Sequence, residues 1–251
     1  MSIVQLSTSL VPCTTLTDRF RGPPPGKLFL LYGDPAVFTL SLTVASHALM
    51  QGSSIAVVDG ANRFDVHLIG SIARRYALDP HAMLDRIFVS RGFTCYQMEA
   101  AVTRRLGPFL QRIRSNTALI LGLLDTFYDE QAPFREVRQI LDRVTSTLGE
   151  LKSHGVSILL ASQDWNVIPK ERNQLLRTLK TRVDQVYRLE LSEAEEPRLF
   201  LESPQQRNVI RSGGLNHGTD RTDVHERHRP GDRVVVEVSP RPPQRRPGAV
   251  R

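Results

Sequence analysis

The sequence predicts an α/β domain built on a mostly parallel central sheet with helices on both faces. Short, continuous apolar runs recur between residues 28 and 161, the pattern of strands buried on both sides. Segments with apolar residues at helical spacing separate them, which is the alternation of βαβ units. Each of four runs gives way to a turn or polar residue, namely Gly33, Asp59, Asp125 and Gln163. Such sheets bind ligands beyond the carboxyl ends of their strands, so these four residues mark one candidate edge.

Taken in order, residues 1–27 read as a lead-in that ends in Arg21-Gly-Pro-Pro-Pro-Gly-Lys27, whose prolines bar a helix and impose an extended chain. Leu28–Tyr32 is a buried strand, and a helix follows from about Thr39 to Met50 with Gln51-Gly52 as its C-cap. Ser54–Asp59 is a second buried strand. Asp65–Tyr76 is a helix with Val66, Ile69, Ile72 and Ala73 on one face; Asp79-Pro80 breaks it, and His81–Asp85 adds one turn. Arg86–Ser90 is a third strand. Gln97 to about Arg114 has helical spacing, with Pro108 expected to kink or split it. Ala118–Leu124 is the most apolar strand. Phe134–His154 is the clearest helix, its stripe formed by Val137, Ile140, Leu141, Val144, Leu148 and Leu151. Val156–Ala161 is a fifth strand, and Asp184–Leu191 with Pro197–Glu202 reads as a closing hairpin. The domain thus spans residues 28–202, and residues 203–251 read as a Pro/Arg-rich, mostly disordered tail. Within that tail Arg233–Val238 is an apolar exception suited to adding a strand to a sheet edge.

The 251 residues carry a net charge of +7, unevenly spread. From Ser203 onward there are 10 Arg and 5 acids, whereas residues 1–202 carry 23 basic and 21 acidic residues. The basicity is therefore mostly a tail property, and it favours polyanions such as nucleic acid or serves as a solubiliser. Cys13 and Cys95 are the two cysteines and form no close pair, which argues against a disulfide framework or zinc site and fits a reducing cytoplasm. No apolar run approaches the roughly 18 residues of a membrane span, and the N-terminus lacks the basic start of a signal peptide.

The stretch Leu28–Ser41 has the layout of a strand, a tight turn at Gly33 and a helix start, the frame of a phosphate loop. Counted from Gly33 in the pattern G-x-x-x-x-G-K-[ST], the second glycine falls on Phe38, the lysine on Thr39 and the hydroxyl residue on Leu40. The frame is present without its chemistry.

The order of motifs over Gly22–Glu202 resembles the RecA/RadA recombinase family. Arg21–Lys27 followed by Leu28–Gly33 is similar to that family's approach to its phosphate loop. Val58-Asp-Gly-Ala-Asn-Arg-Phe64 resembles its D-T-E-G-T-F segment. Ala73–Asp79, Ser90-Arg-Gly-Phe93 and Gly155–Gln163 resemble the segments that follow, the last ending in a glutamine that senses nucleotide and leads into a DNA-binding loop. The resemblance implies a RecA-like P-loop fold, ATP and magnesium, with Gly33, Asp34, Thr39, Asp125 and Gln163 at the nucleotide positions. The departures remove most of that. The lysine is absent, Ala61 stands where the water-positioning glutamate belongs, and the magnesium-site Asp matches either Asp125 or, without gaps, Leu123. Phosphoryl transfer depends on those charges, so the expectation is no catalytic residue, no cofactor and no useful hydrolysis.

Asp125, Asp129 and Glu130 read as turn caps rather than metal ligands, and the scattered histidines show no ligand spacing. Residues 164–182 contain Trp165, Lys170, Arg172, Arg177, Lys180 and Arg182, cations and one aromatic that suit backbone contact and base stacking on a single strand. The alternative for this segment is a solvated amphipathic helix with Leu175, Leu176 and Leu179 packed inward. The expected function is a non-catalytic recombinase paralogue assisting DNA repair or recombination, with single-stranded DNA, a recombinase-family protein or a second copy as partner and no membrane. Against it stand an atypical ATPase of the RecA/KaiC-like superfamily with a signalling role, and a scaffold with no nucleic-acid role.

Overall fold

Five of the apolar runs form the parallel centre of the sheet. The computed structural model describes residues 6–20, 26–129, 131–165, 170–193 and 196–204. In chain order its elements are β1 (Leu6–Val11), α1 (Cys13–Phe20), β2 (Leu28–Gly33), α2 (Ala36–Met50), β3 (Ile55–Asp59), α3 (Val66–Arg75), α4 (Pro80–Leu84), β4 (Ile87–Arg91), α5 (Cys95–Ala100), α6 (Gly107–Arg112), β5 (Thr117–Leu121), α7 (Phe134–Ser153), β6 (Ser157–Gln163), α8 (Gln174–Arg182), β7 (Gln185–Leu191) and β8 (Pro197–Pro204). Among the described residues they make one eight-stranded sheet in the order β1-β8-β7-β2-β6-β5-β3-β4. All pairings from β7 across to β4 are parallel, and β8 runs against both its neighbours, β7 and β1.

Alternate residues of the central strands feed two cores. Leu28, Leu30 and Tyr32 of β2 face α5–α8 with Ile140, Leu141, Val144 and Leu148 of α7. Phe29 and Leu31 face the other way, onto Leu16 and Phe20 of α1 and Leu42, Val44 and Leu49 of α2. A strand buried on both faces has no polar alternation to offer, which is why these runs read as continuous apolar sequence.

The structure moves several expected boundaries, each for a local reason. Residues 1–27 contain β1 and α1, missed because β1 gains its stability from pairing with β8 and α1 is only 8 residues long. Helix α2 starts at Ala36 rather than Thr39. Strand β5 stops at Leu121, not Leu124, because Gly122 takes a φ of +63° and turns the chain. There a Cβ would lie 2.2 Å from that of Ala61. Leu123 and Leu124 are buried in the turn that follows, ahead of a 3₁₀ segment at Asp125–Phe127. Between α5 and α6 the helix widens to π geometry over Ala101–Leu106. Pro108 cannot donate to the carbonyl one turn back, and the looser turn absorbs that loss. Strand β6 runs on to Gln163. The tail from residue 205, including Arg233–Val238, and the prolines at 23–25 lie outside the described residues.

Candidate functional site

The strand register sets the site. Gly33 at the end of β2 pairs with Gln163 at the end of β6. Leu121 of β5 pairs with Ala161 on one side and with Asp59 of β3 on the other. Gly33, Gln163 and Asp59 thus share the carboxyl edge, and Asp125 follows in the turn after β5.

The turn after β2 is short and internally satisfied. Gly33 has a φ of +129°, and a Cβ there would meet the Leu189 carbonyl oxygen at 2.2 Å, so only glycine fits. The Asp34 N–H donates to that same oxygen at 3.0 Å. Asp34 Oδ1 accepts from the Ala36 N–H at 2.8 Å. The Val37 N–H goes to the Asp34 carbonyl at 2.9 Å and the Phe38 N–H to the Pro35 carbonyl at 3.3 Å, while Pro35 has none. Every N–H between residues 34 and 38 therefore has a protein acceptor. Phe38 is a core residue, 4% exposed. Thr39 is exposed and, with Asn62, Arg63 and His67, borders an open groove of about 490 Å³ on the α2–α3 side.

Asp59 is buried and structural. Its two oxygens accept from the N–H groups of Arg63 and Phe64, both at 3.0 Å, and fix the loop after β3. Asp125 Oδ1 accepts from the indole N–H of Trp165 at 3.0 Å. Asp125 Oδ2 is buried without a partner. Burial pushes the Asp125 carboxyl above its ordinary value, against the Trp165 hydrogen bond that lowers it. Asp129 caps its own turn by accepting from the Gln131 N–H at 3.0 Å; Glu130 lies outside the described residues. Among the described residues no group of three or more His, Cys, Asp or Glu side chains is gathered as metal ligands would be.

On the opposite face of the sheet from α2, a cleft of about 430 Å³ opens at the same edge. Tyr32, Tyr128 and Trp165 supply its aromatic walls, with Asp164, Asn173, Leu176, Arg177 and Lys180 completing the lining. Its residues Tyr32 and Lys180 join an ionic cluster centred on the buried Glu202. The Tyr32 hydroxyl donates to Glu202 Oε1 at 2.6 Å. Lys180 Nζ donates to Glu202 Oε2 at 3.1 Å and stands 3.6 Å from the Tyr32 ring centroid. Arg188 Nε lies 3.4 Å from Glu202. Burial, then the bond to Glu202, raises the Tyr32 hydroxyl pKa, and burial lowers that of Lys180 against the pull of Glu202. Burial likewise raises the Tyr128 hydroxyl.

The six residues expected to contact DNA divide clearly. Trp165, 45% exposed, lines the cleft with Arg177 and Lys180. Lys170 is exposed at the start of a 3₁₀ segment, Lys170–Asn173. Arg182 is exposed and pairs with Asp142 at 3.3 Å. Arg172 turns inward: it is 3% exposed, and its two terminal nitrogens donate to the carbonyls of Phe127 and Ala132, both at 2.6 Å. Spacing accounts for this, since Arg172, Leu175, Leu176 and Leu179 recur at i, i+3, i+4 and i+7 and form one face. The three leucines are buried with it, as the amphipathic alternative required. Sequence reasoning missed Tyr32, Tyr128, Asp164 and Asn173. Only Tyr32, with its polar tip at the end of an apolar strand, carried a signal.

No protein-family model matches this chain, and no curated protein matches it in sequence. Among the described residues no helix is long and apolar enough to cross a membrane.

Proposed function

We propose that this chain is a RecA/RadA-like paralogue that does not hydrolyse ATP and assists DNA repair or recombination by binding single-stranded DNA, a recombinase-type partner or both. The observation that carries the reading lies at one sheet edge, where Asp34, just ahead of α2, takes the first N–H of that helix and an aromatic cleft opens on the opposite face. Gln163 standing beside Gly33 supports the family resemblance. The residues do not fit a nucleoside triphosphate. Asp34 takes the place an anion would occupy at the helix N-terminus, no lysine stands there, and Ala61, packed against Gly122, offers no carboxylate to position a water. The cleft carries an exposed indole and Arg177, the pairing of stacking face and cation that single strands require. For a protein partner, β4 is an open sheet edge among the described residues, with Phe88 and Val89 38–40% exposed, the kind of strand that accepts another.

Trp165 is the single tryptophan, so its fluorescence reports on the cleft alone. Titration of the full chain with an oligothymidylate at low salt is expected to quench it. Absence of any binding at low salt would overturn the DNA-binding half and leave a protein-binding paralogue. ATP turnover that survives rigorous purification and is abolished by Asp125→Ala would overturn the non-catalytic half.

A further inference from the structure

We propose that the α8-face cleft takes one nucleobase of a single strand, unstacked from its neighbours and laid against Trp165, with the flanking phosphate held at the rim by Arg177. This rests on the DNA-binding reading above. The cleft's volume of about 430 Å³ falls within the roughly 300–1,000 Å³ of small-molecule sites and is too small for a duplex. Its chemistry is graded from rim to interior. Arg177 is exposed and pairs with no carboxylate among the described residues, so its charge is available. Lys180 is deeper, and Glu202 already balances it at 3.1 Å. Asp164 faces the same space and repels phosphate, while its carboxylate accepts from the N–H groups on a base edge. A flat, neutral, donor-bearing ring therefore suits the interior, and an anion suits only the rim.

The stacking face is set before any ligand arrives. Trp165 is fixed by its bond to Asp125, whose turn is anchored in the core by Phe127. Preorganisation of this kind lowers the ordering cost of binding. Tyr128 and Tyr32 are phenols, neutral in the ordinary pH range, so the aromatic walls present no competing charge.

The test compares two single strands of equal length and phosphate count, one intact and one fully abasic, by Trp165 fluorescence and by anisotropy of an end label. The intact strand is expected to quench Trp165 and to bind about 5- to 150-fold more tightly, the factor one stacked base contributes. Trp165→Ala should abolish that difference. Trp165→Phe, which keeps a stacking ring but loses the bond to Asp125, should retain most of it. Arg177→Ala should weaken both strands alike and reduce the log–log salt slope by about 0.7. Equal affinity of the two strands for the wild-type chain overturns the base pocket and leaves backbone binding intact. Binding of neither strand overturns the DNA reading itself. Quenching by a free mononucleotide as tight as by the intact strand overturns the strand as ligand and assigns the cleft to nucleotides in solution.

Discussion

Arg172 shows how a charged residue in a basic stretch can belong to the core. Its guanidinium bridges the carbonyl that ends the 3₁₀ segment at Phe127 and the carbonyl of Ala132, and so ties the turn after β5 to the start of α8. A buried carbonyl left without a donor costs about 1–3 kcal/mol. Arg172→Met should therefore destabilise the protein by about 2–4 kcal/mol in urea unfolding, and Arg172→Lys should recover little, because a single ammonium lacks the planar fork that reaches both oxygens. Asp125 makes the converse point. Its folded-state pKa is raised, chiefly by burial, above the ordinary 3.8. The native state holds that proton to higher pH than the unfolded chain does. The resulting stabilisation is fully present below the unfolded value and is lost as pH rises through the folded one. Asp125→Asn keeps an acceptor for Trp165 and removes the titration. Relative to the wild type, the variant should gain stability as pH rises from the ordinary carboxylate range and level off once pH has passed the folded-state value. A difference that stays flat as pH rises above the ordinary carboxylate range would show that the folded state does not hold the Asp125 proton more tightly than the unfolded chain. In the sequence Asp125 was visible as an acid after an apolar strand, but its indole partner 40 positions away was not.

At the scale of elements, the segments with strong periodicity were the legible ones. Strands β2, β3, β5 and β6 announced themselves because burial on both faces leaves no room for polar residues, and α7 because its stripe runs through 20 residues. Pro108 marked the neighbourhood of the irregularity, which lies in the turns just before it, over Ala101–Leu106. What stayed hidden depends on partners distant in sequence: β1 exists because β8 offers it a ladder from Leu6 to Val11. The first turn of α2 was half legible. Its missing lysine could be counted from Gly33, whereas the capture of the Ala36 N–H by Asp34, and of the Asp34 N–H by the Leu189 carbonyl, could not. Asp34→Ala should cost about 0.5–2 kcal/mol, as removal of a capping carboxylate does. It should also leave the protein without ATP hydrolysis, because freeing one N–H restores neither the lysine nor a loop long enough to enclose phosphate while Phe38 remains in the core. A phosphate-release assay on the wild type and Asp34→Ala, with and without single-stranded DNA, checks both statements. Turnover appearing in the variant alone would show that Asp34 was the block.

Across the whole molecule, charge is unevenly spread along the chain. The sequence through residue 202 is near neutral, and from Ser203 onward the excess of basic over acidic residues is 5. Two cationic elements are thus separate in sequence: the segment around α8, with Lys170 and Arg177, and the C-terminal stretch. Each phosphate neutralised on a single strand adds about 0.7 to the slope of log affinity against log salt, so the two contributions can be measured separately. The boundary between them has to respect β8, which pairs with β1 as far as Pro204. A truncation at residue 203, the limit the sequence alone indicated, would remove the last two residues of that ladder. A chain ending at Pro204 keeps every described strand, and its melting temperature should match that of the full chain. Its affinity for a single strand should fall and its salt slope flatten. Lys170→Ala with Arg177→Ala in the truncated chain should flatten it further, while Arg182→Ala should change it little because Asp142 already balances that charge. Should the truncated chain bind with the same slope as the full one, the arginines beyond residue 204 take no part, and recognition lies wholly at the carboxyl edge of the sheet.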